Sequence, residues 1–324
     1  MNPRYHVIPL VFITLLIWRC TGVSDSQHSL YFRQAPPDSA AVILAPDFIC
    51  TGLNERDAAF TPDGKSFYFS VWNGTTGSIC VSHFQNGRWT RPEVAPFSGN
   101  TSDVEPFISP DGNQFFFVSN RPIQNVENKD YDIWVMDRLD DHWGEPRNIG
   151  QPVNTERNEF YPSVTKDGTL YFTGSYQEAV SGEDIYRSER DGAAYSDPVR
   201  LDDRVNSKSY DFNALIAPDE SWILFSSWGR PDDLGGGDLY ISYRNEDGSW
   251  SSAQNLGPSV NSSALDYCPA LSPDGKYLFF SSRRTLPDFT PDKPITYEKL
   301  TRMLNMPGNG TGDIFWISSD LINR

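Results

Sequence analysis

The chain has 324 residues and a net charge of -16, with 43 acidic against 27 basic side chains. That balance argues against nucleic acid and against anionic bilayer surfaces as partners, because both are bound through clustered Lys and Arg. Aromatic residues at 14%, with 24 Gly and 24 Pro, call for a large core joined by many turns, and four histidines leave little for His-based catalysis.

The N-terminus carries Arg4, an apolar run from Val7 to Trp18, then Arg19-Cys20. Twelve apolar residues suit the core of a signal peptide and are too few to span a bilayer. Residues 1-20 are therefore expected to be a signal peptide, residues 21-40 an exposed linker, and residues 41-324 a single domain. Cys20, placed directly after the apolar core, resembles the lipidation site of bacterial lipoproteins, which implies an envelope protein tethered by a lipid anchor. Cys50, Cys80 and Cys268 make an odd count without metal spacing and are expected to be buried small residues. A Cys50 to Cys268 disulfide remains open.

One stretch occurs five times. Phe60-Thr61-Pro62-Asp63-Gly64, Ile108-Ser109-Pro110-Asp111-Gly112, Val164-Thr165-Lys166-Asp167-Gly168, Ile216-Ala217-Pro218-Asp219-Glu220 and Leu271-Ser272-Pro273-Asp274-Gly275 are each followed by an aromatic-rich run. Their Asp residues lie 48, 56, 52 and 55 positions apart, a period that means a repeat architecture. Pro presets the second turn position, Asp suits the third and Gly accepts a left-handed fourth, so each copy reads as a tight hairpin between two strands. Lys166 replaces Pro and Glu220 replaces Gly; Glu220 at positive φ would bear roughly 1 kcal/mol or more of strain, unless that hairpin uses another turn.

A third strand follows each hairpin (Ser78-Ile79, Asp132-Ile133, Asp184-Ile185, Asp238-Leu239, Asp313-Ile314), then a fourth element and an Asn (Asn100, Asn154, Asn206, Asn261). Four antiparallel strands per repeat make a propeller blade. The last repeat lacks a fourth strand, and Val42-Ile43-Leu44 stands ahead of the first, so the N-terminal strand is expected to complete the last blade and close the ring. The fold class is all-β, a propeller of five four-stranded blades; a sixth would need a degenerate copy that the sequence does not show.

The Ser-Pro-Asp-Gly hairpin, aromatic strand and Asp-Ile-Trp/Tyr element resemble the TolB-like, WD-related propeller repeats of bacterial envelope proteins over residues 42 to 318. The resemblance implies the architecture and a periplasmic or outer-membrane setting. It carries no functional residue, and the protein that gives the family its name has six blades.

Eight residues before each turn Asp stands an acid: Glu55, Asp103, Glu159, Asp211 and Asp266. Two residues later, on the same side if the strand alternates, stand Asp57, Glu105, Tyr161, Asn213 and Cys268. In a propeller the first strand runs along the central channel, so the acids are expected to ring one channel mouth, where they would raise one another's pKa or recruit a structural cation. The alternative is that each ties a loop to the next blade. Pairing across the hairpin puts Arg121, Arg230 and Arg283 beside Asp103, Asp211 and Asp266, leaving Glu55 and Glu159 as the free carboxylates.

Nine residues after the turn Asp come Trp72, Asn120, Tyr176, Trp228 and Arg283, a candidate apolar platform beside polar groups. The long loop 283-312 falls on this same face, with Thr296 to Leu304 as a short helix, and is expected to rim or cover the channel mouth. No phosphate-cradling loop, metal spacing or nucleophile-His pair is present, and no cofactor is expected. Two readings follow. The first is a monomeric exported binding or scaffold protein that recognises a protein, peptide or glycan through Glu55, Asp57, Asp103, Glu105, Glu159, Asp211, Asp266, Trp72, Tyr176, Trp228, Arg121 and Arg283. The alternative is a carbohydrate-active enzyme using Glu55, Asp103 and Glu159.

Overall fold

The computed structural model describes residues 31-37, 39-123, 130-192, 194-286 and 294-322. The signal-peptide and lipidation assignments, Cys20 included, lie outside the described residues. Among those described, no helix is long and apolar enough to cross a membrane.

Each repeat forms one antiparallel sheet in the order first, second, third, fourth strand, and five such blades make the ring. The first strands are Glu55–Phe60, Asp103–Ile108, Glu159–Val164, Tyr210–Ile216 and Asp266–Leu271. In the fifth blade the outer strand is Val42–Ile43, which pairs with Trp316 and Phe315. The chain thus closes the ring with its own N-terminal strand, as the missing fourth strand requires, and removes the sheet edge that an open blade would expose.

The five hairpins share one turn. The fourth turn residue donates to the carbonyl three residues back: Gly64 to Thr61 at 2.8 Å, Gly112 to Ser109 at 2.8 Å, Gly168 to Thr165 at 3.2 Å, Glu220 to Ala217 at 2.9 Å and Gly275 to Ser272 at 2.9 Å. Glu220 sits at φ +58° and so adopts the strained conformation rather than a different turn. Its carboxylate accepts the Tyr171 hydroxyl at 2.7 Å, which ties the turn to the preceding blade. The third hairpin is one residue shorter, closing between Thr165 and Thr169 where the first closes between Thr61 and Ser66.

Large aromatic residues fill the spaces between blades. Phe67, Phe279 and Trp316 are fully buried at the seam between the fifth and first blades. Into this seam the chain also inserts Tyr31, which packs against Tyr277, Phe279 and Trp316 and donates its hydroxyl to Asp274 at 2.9 Å. Gln34 bridges to the outer strand through Ile43 O and Ala45 N, both at 2.8 Å. The segment 21-40 is therefore no uniform exposed linker; its described part includes a strap that seals the closing seam.

Candidate functional site

Every first strand is bulged, and the bulge reorganises the site. Register shifts fall between Arg56 and Ala59, Val104 and Phe107, Phe160 and Ser163, Phe212 and Leu215, and Tyr267 and Ala270. Each contains one residue at positive φ: Asp57 at 62°, Glu105 at 56°, Tyr161 at 49°, Asn213 at 50° and Cys268 at 55°. A non-glycine residue held there bears about 1–3 kcal/mol of strain and persists only where its surroundings fix it. The fixing bonds cross between blades: Asp57 N donates to Ser281 Oγ at 3.1 Å, Glu105 N to Ser70 Oγ at 3.0 Å and Asn213 N to Thr173 Oγ1 at 2.9 Å. In the second blade Val118 stands where the others have a hydroxyl, and Tyr161 N donates to Glu105 Oε2 at 2.7 Å instead.

Strict alternation fails at the bulge, so the two columns part. The column at positive φ faces the channel and plugs it. Arg56 donates to Asp57 and Glu105, both at 2.8 Å, and lies 5.0 Å over the Tyr267 ring. Asn213 Nδ2 reaches Glu105 Oε1 and Cys268 Sγ, each at 3.4 Å. Burial works against the Arg56 charge, but Asp57 leads the groups that hold its pKa well above the ordinary value. Burial raises the Glu105 carboxyl and Arg56 opposes the rise. Burial likewise keeps the Cys268 and Cys50 thiols protonated. Both are free, so the open disulfide does not form.

The other column does not ring a channel mouth. Glu55, Asp103, Glu159, Asp211 and Asp266 are at most 1% exposed, and each is bound by the loop that enters its strand. Thr51 Oγ1 donates to Glu55 at 2.5 Å, Ser98 Oγ to Asp103 at 2.9 Å, Thr155 Oγ1 to Glu159 at 2.7 Å, Ser207 N to Asp211 at 2.6 Å and Ser262 N to Asp266 at 2.6 Å. These acids tie loops to neighbouring blades.

Three of them carry an arginine. Arg121 pairs with Asp103 at 2.8 Å, Arg230 with Asp211 at 2.7 Å and Arg284 with Asp266 at 2.5 Å. The partner of Asp266 is therefore Arg284, not Arg283, because Asp266 pairs with Ser282 and the arginine that folds back onto that hydroxyl lies two residues beyond it. Arg283 instead lies near the Tyr267 ring, 5.9 Å from its centroid. Each paired guanidinium also sits over two aromatic rings: Phe117 and Trp134, Phe225 and Tyr240, Phe280 and Phe315. Each donates to a carbonyl of the preceding loop, Phe97, Val205 or Val260.

Tyr176 takes that position in the third blade. Its ring lies 4.6 Å from Tyr186 and 6.0 Å from Phe172, and its hydroxyl donates to Val153 O at 2.5 Å, the carbonyl matching Phe97, Val205 and Val260. Glu159 thus has a neutral neighbour where its counterparts have a cation. Burial pushes its carboxyl up to about 8, with Asp132 of the preceding blade adding to the rise. Glu55, also without an arginine, is pushed up to about 7 by burial, Asp313 adding to it, and Asp313 itself rises to about 6. Among the described residues neither glutamate has a basic partner, in line with the expectation; both are buried in seams rather than offered to a ligand.

Of the aromatic column, Trp72 and Tyr176 pack into the seam between the second and third blades. Trp228 is 56% exposed and meets Tyr210 at 6.0 Å on the face where the first strands begin. The helix Tyr297–Leu304 forms with Thr296 as its N-cap. Its loop docks on the entry to the first blade through Asn309 Nδ2 to Gly52 O at 3.0 Å and Thr311 Oγ1 to Leu53 O at 2.9 Å, so it stands at the rim.

The cavity the sequence did not announce lies on the opposite face, among the turns. It is a funnel of about 390 Å³ with its mouth ringed by Pro62, Pro110, Lys166, Pro218 and Pro273. Phe60, Phe107, Ile108, Leu215 and Trp222 line its wall, and Glu105 and Tyr161 of the plug form its floor. The repeat that places the turns on one face also places five apolar strand ends beneath them, and that is the signal which could have found it.

No protein-family model and no curated protein matches the sequence. Among solved structures the chain is similar to a candidate TolB from Agrobacterium tumefaciens (18% identity, 82% of this chain and 90% of that one, TM-score 0.47). It is also similar to TolB from Acinetobacter baumannii (17%, 83% and 55%, TM-score 0.46) and to an alpha-L-arabinofuranosidase from Lactobacillus brevis (12%, 83% and 91%, TM-score 0.48). At these values the likeness is one of fold alone: the chain is an all-β, five-bladed propeller.

Proposed function

We propose that the protein is an exported binding module of the cell envelope that receives an apolar group of its partner in the turn-face funnel. The observation that carries this reading is the funnel itself, an apolar concavity within the 300–1,000 Å³ range of ligand sites, over a floor whose polar groups are already bonded to one another. A glycan is poorly served there, since its hydroxyls would find few unbonded partners. Catalysis by Glu55, Asp103 and Glu159 is disfavoured by their burial and by the loop hydroxyls that hold them. Export follows from the apolar run Val7 to Trp18, and a lipid anchor at Cys20 from its position after that run.

The test is titration of purified protein with apolar peptides, acyl ligands and neutral glycans, repeated with Ala270→Phe, which fills the funnel wall. Apolar ligands are expected to bind the parent and fail on the variant. Glycan binding untouched by Ala270→Phe would move the site to the other face. Labelled palmitate incorporated by the parent and lost in Cys20→Ala is the expected result for the anchor, and equal labelling of both removes it.

A further inference from the structure

The wall of the funnel is short of hydrogen-bonding groups for a structural reason. Immediately after the residue at positive φ, three of the five first strands carry proline: Pro106, Pro162 and Pro269. Proline has no N–H, so the inner edges that would otherwise present donors to the channel are stripped of them in three blades. The Pro269 carbonyl is already taken by the Tyr161 hydroxyl at 2.9 Å. A peptide backbone inserted here would leave its own polar groups unsatisfied, at about 1–3 kcal/mol each. Hydrocarbon meets no such penalty.

The mouth's lining adds one cation, beside turn aspartates that are bonded within their own turns. Four of its five turn positions are proline, and the fifth is Lys166, exposed and without a salt bridge among the described residues. Asp219 of the next turn is bonded by Ser221 N at 3.1 Å and Oγ at 2.6 Å, and Lys166 acts on its carboxylate through space without a direct ion pair among the described residues. Beyond Lys166 the funnel adjoins a polar cleft of about 290 Å³ lined by Arg190 and by Asp111 and Asp167, whose carboxylates are bonded by Ser109 and Asn113 and by Thr165 and Thr169 of their own turns. The guanidinium of Arg190 donates to Gln114 and Gly192 O and to no carboxylate among the described residues. The other charge in the lining, Glu105, is bonded by Arg56.

We infer that the funnel takes an acyl chain end-on and leaves its acidic head group at Lys166. This rests on the reading of the funnel as the binding site and names the ligand class for it. A free fatty acid and an anionic membrane lipid share that chemistry, and the net charge of -16, which repels an anionic bilayer, favours the free acid.

Calorimetry with laurate and with 1-dodecanol, together with flotation on phosphatidylglycerol vesicles, separates the possibilities. Laurate is expected to bind one to one, to lose all measurable binding in Ala270→Phe, and to weaken at least fivefold in Lys166→Glu while dodecanol is unchanged. Lys166→Glu lies on the surface and keeps the test open should Ala270→Phe fold poorly. Flotation of the parent but not of Lys166→Glu identifies the bilayer lipid as the source; laurate binding without flotation identifies the free acid. Equal laurate affinity in Lys166→Glu overturns the head-group assignment. No binding of laurate, dodecanol or vesicles overturns the acyl proposal, while apolar peptides that bind the parent and fail on Ala270→Phe would leave the funnel standing as a protein-binding site.

Discussion

The seams of the ring fall into two kinds. Where the first, third and fourth blades meet the blade that follows, a short Asp, a serine or loop hydroxyl and an arginine laid over two rings close the gap: Asp103 with Arg121, Asp211 with Arg230, Asp266 with Arg284. Where the second and fifth blades meet the next, the acid is a Glu, the residue paired with it across the hairpin is Gly174 or Val71 rather than a serine, and no arginine pairs with the acid among the described residues. The longer side chain reaches a threonine four residues upstream and keeps a raised pKa. A carboxylate with its cation glues the first kind of seam, whereas an acid that burial biases toward its neutral, hydrogen-bonding form serves the second.

Removing the acid from a clasped seam should have the largest effect. Asp103→Ala leaves Arg121 14% exposed and without its counter-charge, and breaking one side of a buried pair costs about 3–5 kcal/mol. Urea unfolding should show a loss of unfolding free energy of that size. A loss under about 1 kcal/mol would mean that the rings of Phe117 and Trp134 and the Phe97 carbonyl hold the arginine without the acid.

The unclasped seams should respond to pH in the opposite sense. Glu159 rises from 4.5 in the unfolded chain to about 8 when folded, so between those values the unfolded chain has released a proton that the folded chain keeps. The stability it contributes is complete below about pH 4.5 and is lost as pH rises through 8. Glu159→Gln should therefore flatten the decline and stabilise the protein at pH 8 by about 2 kcal/mol. Tyr176→Arg should do the same by another route, supplying the cation its sister blades have. A thermal-unfolding series from pH 5 to 8.5 that runs parallel for parent and Glu159→Gln would show that Glu159 titrates normally.

Much of this was legible before the fold was seen. The period near 50, the hairpin turns, the closing strand and the short helix after Thr296 follow from residue type and spacing, as does the lack of a basic residue at the matching place in the blades of Glu55 and Glu159. The bulge was not legible, because a one-residue insertion leaves no compositional mark and the positions at positive φ hold five different residues, of which only Asp57 and Asn213 favour that conformation. Its consequence was the misplacement of the acid column from seam to channel mouth, and with it the choice of face. The shorter third hairpin misaligned Tyr176 with Trp72, when its counterparts are the arginines.

A constant offset could have shown one further device, and it gives the smallest expected effect. Five residues before each seam acid stand Cys50, Ser98, Asn154, Asn206 and Asn261. Each latches the loop to a third strand: Asn154, Asn206 and Asn261 accept from the N–H of Ile133, Ile185 and Leu239 at 3.0, 2.8 and 2.9 Å, and Ser98 from Ile79 at 3.0 Å. Cys50 does so with sulfur, accepting from Ile314 N at 3.2 Å and donating to Ile314 O at 3.5 Å. Cys50→Asn would replace weak thiol bonds with amide bonds worth about 1 kcal/mol each. The third bond that Asn154 and Asn261 make, to Asn148 and Asn255, has no counterpart here because Leu44 stands at that position. Added bulk in a fully buried site works against the gain, at about 1–3 kcal/mol. The two should nearly cancel, leaving the unfolding free energy from urea titration within about 1 kcal/mol of the parent; a loss above about 2 kcal/mol would mean that the closing seam is packed around sulfur and that its latch differs in kind from the other four.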